Sequence, residues 1–163
     1  MIEWRSAISD SEGIAVKSPV SGYVMPIAAH PDPLYQHTLV NTGCCIALTQ
    51  SVVTAPFQAN CQLSLLQNRR MRFTHKSGLL LLVEFMPALF THHHITSFID
   101  NSCEVKAGQP ILQIGAQLTQ HDKTFAVVML AVPQAITNIQ ASERFVEAGK
   151  DTLFILQRMS ETS

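Results

Sequence analysis

Val16–Gly22 reads VKSPVSG and Val53–Ala59 reads VTAPFQA, so one pattern of valine, proline and small residues occurs twice. A second pair also matches: Val105–Gln109 reads VKAGQ and Val146–Lys150 reads VEAGK, and each leads into an apolar run. In this second pair, glycine supplies the positive φ that closes a tight turn, and valine anchors the strand before it. The two repeats predict duplicated β units around one core, not two separate domains.

Short apolar runs lie between closely spaced prolines and glycines along most of the chain. This spacing leaves little room for long helices. Many short strands with frequent turn signals are typical of an all-β sandwich or barrel. The stretch Leu89–Asp100 is the best candidate for a short helix or covering loop. The predicted strands are Ile14–Val16, Tyr23–Ile27, Cys45–Leu48, Cys61–Leu66, Met71–Thr74, Leu79–Phe85, Ile111–Ile114, Thr124–Ala131 and Leu153–Leu156.

Length and composition indicate one folded domain. The chain has 163 residues, of which 47% are hydrophobic and 14% are charged, a composition that disfavours disorder. We predict a single β domain over residues 13–158, with flexible termini at 1–12 and 159–163. The formal net charge of -1 argues against nucleic acid as a partner, since phosphate binding needs an excess of lysine and arginine.

The apolar runs and the cysteines indicate a cytoplasmic protein. Met1–Asp10 contains no long apolar run and does not resemble a signal peptide. Leu79–Val83 is far too short to span a bilayer, so no integral membrane segment is expected. None of the cysteines stands in a CxxC pair, and we predict reduced thiols at Cys44, Cys45, Cys61 and Cys103.

Several of these motifs, in this order, resemble the glucose-type enzyme IIA family of the bacterial sugar phosphotransferase system. The resemblance extends over roughly residues 16–157 and implies an antiparallel β-sandwich or distorted barrel built on a duplicated hybrid motif. The matching stretches are Ser18–Gly22 for the family's APLSG turn, Pro31–Tyr35 for PDPVF, Gly43–Leu48 for GDGIAI, Thr54–Pro56 for APVDG, Ser77–Gly78 with the next strand for SGVELFVHFG, and Glu104–Gly108 and Val146–Gly149 for its two late turns.

The family's chemistry implies two facing histidines, one of which accepts phosphate from the histidine phosphocarrier protein. Counting back from Ser77, the family's NHAFS places the first histidine at Arg69 and the threonine before it at Gln67. Counting forward, FVHFG places the phosphorylated histidine at Glu84, and the acidic residue after it at Ala88. Arginine cannot be deprotonated in a protein, so Arg69 cannot serve as the nucleophile. We expect an Arg69–Glu84 contact in place of the histidine pair.

The same resemblance predicts a protein-binding face around Arg69 and Glu84. The arginines would repel the basic rim of the family's usual phosphate donor and would suit an acidic or phosphorylated partner. A solvated strand face is the plain alternative. We expect a monomer whose partner is a protein, with docking to a membrane transporter among the options. The predicted face comprises Leu34, Tyr35, Val40, Leu65, Asn68, Arg70, Arg72, Leu82 and Phe85.

The resemblance, together with the loss of the two histidines, leaves two candidate functions. In the first, the protein is a non-phosphorylatable binding or regulatory module without a cofactor. In the second, it is a phosphoryl carrier that uses Glu84, His75 or a histidine of the cluster His92, His93 and His94. That cluster is also the candidate for a metal site, although three consecutive histidines do not face one point. The simpler interpretation is that the cluster forms an exposed polar turn.

Other families and histidines have less support. Lipoyl and biotinyl carriers need a lysine at a hairpin tip between apolar neighbours, and the turns at Lys17, Lys106 and Lys150 lack that context. The histidine pattern of lysostaphin-type metallopeptidases is missing, as are P-loop, GxSxG and HExxH motifs. We predict that the remaining histidines His30, His37 and His121 lie in loops.

Overall fold

The computed structural model describes residues 2–32, 42–65, 69–87, 89, 94–115 and 124–158. Short 3-10 turns occur at Asp10–Glu12 and Ile27–Ala29. The strands are β1 (Ile2–Arg5), β2 (Ile14–Lys17), β3 (Gly22–Pro26), β4 (Gly43–Leu48), β5 (Val52–Thr54), β6 (Ala59–Ser64), β7 (Arg70–Thr74), β8 (Leu80–Phe85), β9 (Ile95–Ser97), β10 (Ser102–Val105), β11 (Pro110–Ile114), β12 (Phe125–Ala131), β13 (Ile136–Ser142), β14 (Phe145–Val146) and β15 (Thr152–Arg158).

The strands form three sheets, and almost all neighbours are antiparallel. The largest sheet has eight strands in the order β10-β6-β7-β8-β12-β4-β3-β14. A four-stranded sheet has the order β1-β13-β15-β2, and a three-stranded sheet has the order β5-β11-β9. The predicted all-β antiparallel fold is confirmed, and the sheets stay open instead of closing into a barrel.

The sequence repeats meet each other through equivalent hydrogen bonds. Gly149 N donates to Ser18 O at 2.9 Å, and Gly108 N donates to Ala55 O at 2.8 Å. Both glycines have positive φ, 76° and 80°, as expected for the residue that closes each turn. The turn at Gly149 therefore contacts the first repeat, and the turn at Gly108 contacts the second repeat.

Within the N-terminal segment predicted to be flexible, Ile2–Arg5 forms a strand. This segment is strand β1, which pairs in parallel with β13 so that Ile2 lies opposite Ile139. Ile2 is buried, and Trp4 packs against the core. Burial of these apolar side chains and the backbone pairing offset the entropy of ordering the segment. The flexible tail predicted at 159–163 lies outside the described residues.

Strands β7 and β8 form a hairpin whose side chains alternate between core and surface. Met71 and Phe73 point inward and are fully buried, and Arg70 and Arg72 point outward and are exposed. The period of two is the expected result of the pleat in a half-buried sheet. The hairpin thus presents one row of charged side chains on the outer face of the large sheet.

Candidate functional site

The two positions that the family resemblance marks lie at adjacent ends of β7 and β8. The register places Arg70 opposite Glu84 and Arg72 opposite Leu82. Arg69 directly precedes β7, and its carbonyl accepts a hydrogen bond from Phe85 N at 3.0 Å. The hairpin therefore brings Arg69, Arg70 and Glu84 together.

Arg69 has an unusual backbone conformation. Its φ is 54°, which is uncommon for a residue with a Cβ. Its N–H donates to Leu65 O at 3.2 Å, and its Nε donates to Phe85 O at 3.3 Å. These bonds hold both the backbone and the side chain of Arg69 against the neighbouring strand. Its guanidinium therefore acts as a fixed donor to the backbone.

Glu84 forms its ion pair with the residue directly opposite. Arg70 Nε donates to Glu84 Oε2 at 3.1 Å. The side chain of Arg70 is 47% exposed and that of Glu84 is 15% exposed. This ion pair follows from the register, because directly opposed residues are the closest cross-strand pair. The carboxylate is therefore engaged by a cation at the sheet surface. The Arg69–Glu84 contact that we expected stays a prediction.

A small hollow with a volume of about 120 Å³ lies between these residues and the loop after β3. Arg69 and Glu84 line it on one side, and His30 and Asp32 line it on the other. The remaining lining residues are Phe85, Met86 and Pro87. The hollow therefore combines two carboxylates, one guanidinium and one imidazole.

His30 is the histidine that the structure brings to this hollow, and sequence reasoning missed its role. It is only 2% exposed, and its ring packs 5.8 Å from the ring of Phe125, centroid to centroid. Its Nδ1 accepts a hydrogen bond from Asp32 N at 2.9 Å, so the neutral ring carries its proton on Nε2. In this tautomer neither ring nitrogen has a lone pair free to attack phosphorus, because Nδ1 accepts the hydrogen bond from Asp32 N and Nε2 carries the proton. The only available signal was its place directly before Pro31-Asp32, within the family-like loop.

Burial lowers the pKa of His30, and the nearby carboxylates of Asp32 and Glu84 partly oppose this effect. The folded state therefore binds a proton less readily than the unfolded chain, whose histidine pKa is about 6.5. Stability from this group is present at neutral pH and is lost as pH falls through about 6.5. We expect the free energy of unfolding to decline in that window with a slope well below the single-group ceiling of about 1.4 kcal/mol per pH unit.

His30→Asn should flatten that decline, because asparagine keeps an acceptor for Asp32 N but does not titrate. Urea denaturation of both proteins between about pH 7.5 and pH 5 measures the difference. The matched control is His94→Asn, since His94 is exposed and its effect should be small. Parallel pH profiles for wild type and His30→Asn would show that another group is responsible.

Not all predicted site residues can be placed. The structure positions Arg69, Arg70, Glu84 and the half-buried Leu65 around the same end of the hairpin. Phe85 lines the hollow and is 2% exposed. The exposed Arg72 and the half-buried Leu82 lie opposite each other, two residue pairs further along the hairpin. The predicted residues outside the described ranges are Leu34, Tyr35, Val40, Gln67, Asn68, Ala88, His92 and His93.

Among the described residues, His75, His94 and the cysteines do not line this hollow. His75 follows the opposite end of β7, where its Nδ1 accepts from Ser77 N at 3.1 Å. Within the described ranges, no group of three or more potential ligands is arranged to hold a metal ion. Burial raises the pKa values of Cys45 and Cys61 to about 12, so these thiols stay protonated at neutral pH.

Comparisons with known proteins agree with this architecture. Residues 14–138 match the profile of the family described as phosphoenolpyruvate-dependent sugar phosphotransferase system, EIIA 1. The fold is similar to that of the glucose permease IIA from Mycoplasma capricolum, with a TM-score of 0.70 and 15% identity, covering 88% of this chain and 96% of that chain. In the described part of the chain, no helix has the length and apolar character needed to cross a membrane. Since the profile match covers most of the sequence, the chain belongs to the EIIA 1 family, the glucose-type enzyme IIA proteins of the sugar phosphotransferase system.

Proposed function

We propose that this protein is a non-phosphorylatable enzyme IIA-like module that acts by binding a protein partner through the face around Arg69 and Glu84. The observation that carries the proposal is the state of the two family positions. Arg69 is a fixed cation bound to Phe85 O, and Glu84 is paired with Arg70. The histidine chemistry of the family needs a neutral imidazole as nucleophile, and neither an arginine nor a glutamate supplies one.

The surface chemistry favours binding over transfer. Arg70 and Arg72 are exposed on the outer face of β7, beside the half-buried Leu82. Arginine forms strong, directional hydrogen bonds with carboxylates and phosphates. A surface that combines the half-buried Leu82 with neighbouring guanidinium groups therefore suits an acidic or phosphorylated protein surface. A transporter, a metabolic enzyme and a signalling protein are the candidate partners of a monomer working in the cytoplasm.

A phosphoryl carrier is the second candidate function, and the position of His30 in the hollow is the observation that favours it. An imidazole does line the hollow, as a displaced phosphohistidine would require. Two features oppose this role: the ring is almost fully buried, and its Nδ1 is occupied by Asp32 N. A phosphocarrier docked on the surface would need both the ring and a free nitrogen to become accessible.

We expect no label on this protein after incubation with radiolabelled phosphoenolpyruvate, enzyme I and the histidine phosphocarrier protein. The phosphocarrier protein becomes labelled in the same mixture and serves as the internal control. A stable phosphohistidine mapped by mass spectrometry would contradict the proposal. Label that disappears in Glu84→Ala would instead identify Glu84 as an acyl-phosphate carrier, and full labelling of that variant would exclude Glu84.

Binding is tested with a charge reversal at the same face. Arg72→Glu should abolish capture of a partner from native cytosol, because the introduced carboxylate repels an acidic surface. Lys106→Glu makes the same charge change on an exposed turn and should leave capture intact. Equal capture by both variants would place the binding surface elsewhere.

A further inference from the structure

A second concave site lies on another part of the molecule, between the four-stranded sheet and the turn that joins β7 to β8. Its volume is about 420 Å³, within the range of roughly 300–1,000 Å³ typical of small-molecule sites. It shares no lining residue with the hollow around Arg69. The residues that line it are Ile14, Ala15, Val16, Phe57, His75, Ser77, Leu79, Pro133, Ala135, Ile136, Leu156 and Arg158.

The walls of this cavity are mostly aliphatic. Val16, Leu79 and Leu156 are buried members of the main core and form the inner part of the cavity. Ile14 is a large aliphatic side chain that remains 42% exposed, and Ile136 is half-buried. Covering such a surface with another apolar group would remove it from water and stabilise the complex. The walls therefore favour a ligand with an aliphatic body.

The polar part of the lining is cationic or hydrogen-bond donating. Arg158, at the end of β15, is exposed and has no ion-pair partner among the residues that the structure describes. His75 Nδ1 accepts from Ser77 N, which leaves Nε2 as an N–H donor in the neutral ring. The described lining contains no aspartate or glutamate. A carboxylate is therefore the head group that this cavity matches.

We propose that the cavity binds a small amphipathic carboxylate of the medium-chain fatty acid type. The aliphatic chain packs against Ile14, Leu79 and Ile136, and the carboxylate pairs with Arg158. Arginine recognises a carboxylate through two parallel N–H···O bonds, which is the geometry that fixes the orientation of such a ligand. The proposal is independent of the function assigned to the Arg69 hollow.

Octanoate is the probe that tests it. Isothermal titration calorimetry should show saturable binding, and methyl NMR should show the largest shifts at Ile14, Leu79 and Ile136. From hexanoate to octanoate, affinity should rise by about fourfold per methylene, as expected for burial of a CH₂ group. Absence of saturable binding at millimolar octanoate, or shifts confined to other methyl groups, would overturn the proposal.

Variants test the contributions of the carboxylate head group and of the aliphatic part of the ligand separately. Arg158→Gln should weaken octanoate binding by about tenfold and leave 1-octanol unaffected, since only the carboxylate loses a charge-assisted bond. Lys106→Gln is the matched control on an exposed turn and should change neither ligand. Equal affinity of octanoate and octyltrimethylammonium for the wild type would contradict the carboxylate assignment.

A blocking variant tests the location. Ala135 is exposed and lines the cavity, so Ala135→Phe adds bulk there without disturbing the core. Its thermal unfolding should match that of the wild type, and octanoate binding should fall at least tenfold. Unchanged binding by a folded Ala135→Phe protein would place the ligand outside this cavity.

Discussion

Gly22→Ala lowers the free energy of unfolding by about 3 kcal/mol or more, because the new methyl group has no space. A Cβ at Gly22 would lie 2.0 Å from the carbonyl oxygen and 2.7 Å from the carbonyl carbon of Ala47. Both are backbone atoms of β4, which pairs with β3 near one edge of the large sheet. Relief of the clash requires one strand to move, and that movement would break their hydrogen-bonded ladder.

Gly78→Ala is the matched control for this change. Gly78 also has a positive φ, 97°, but a Cβ there meets no atom within 4 Å. Its cost is therefore the backbone strain alone, about 1–2 kcal/mol. Urea denaturation followed by circular dichroism measures both variants. Equal midpoints would show that β3 and β4 can separate without loss of stability.

Phe73→Ala lowers the free energy of unfolding by about 3–5 kcal/mol. The side chain is fully buried on the inner face of β7, so its removal loses apolar contact and leaves a cavity in a close-packed core. Arg70 and Arg72 occupy the opposite face of the same strand. We therefore expect the variant to loosen the surface that displays the arginines as well as the core.

The matched control is Phe98→Ala, since Phe98 is 50% exposed and loses less burial. We expect a change below about 1 kcal/mol for it. Thermal and chemical unfolding of the two variants, with amide hydrogen exchange of β7, provides the measurement. A Phe73→Ala protein as stable as Phe98→Ala would mean that the core closes around the missing ring.

The strand pattern was predictable where side chains alternate locally. The runs Met71–Thr74 and Leu79–Phe85 were predicted and correspond to β7 and β8, because each buries alternate residues. Six of the strands observed in the described ranges were not predicted: β1, β5, β9, β10, β13 and β14. Strand β9 lies inside the stretch Leu89–Asp100, which was predicted as a short helix or covering loop. Ile2–Arg5 and Ile95–Ser97 are short and become strands only by pairing with β13 and β11. Such pairing depends on residues far away in the sequence, which a local pattern does not contain.

The site was predictable to the extent that it lies on one hairpin. Arg69 directly precedes β7 and its carbonyl bonds to Phe85 N, next to Glu84, so the spacing along the hairpin was sufficient to expect the two residues at the same end. The ion pair between Glu84 and Arg70 was not predicted, since the spacing does not reveal that Arg70 lies directly opposite. His30 could not be placed, because it reaches the hollow through the loop after β3 and through packing on Phe125 from β12.

The contact between the first repeat and the turn at Gly149 affects how the chain folds during its synthesis. The Ser18–Gly149 bond and the β2–β15 pairing join the beginning of the domain to its end. Contacts so distant in sequence give a high contact order, and their loop-closure entropy slows folding. On the ribosome, β2 must wait with an unpaired edge until β15 has left the exit tunnel. In a nascent chain of this protein, β2 therefore stays without its partner until the last strand has been made.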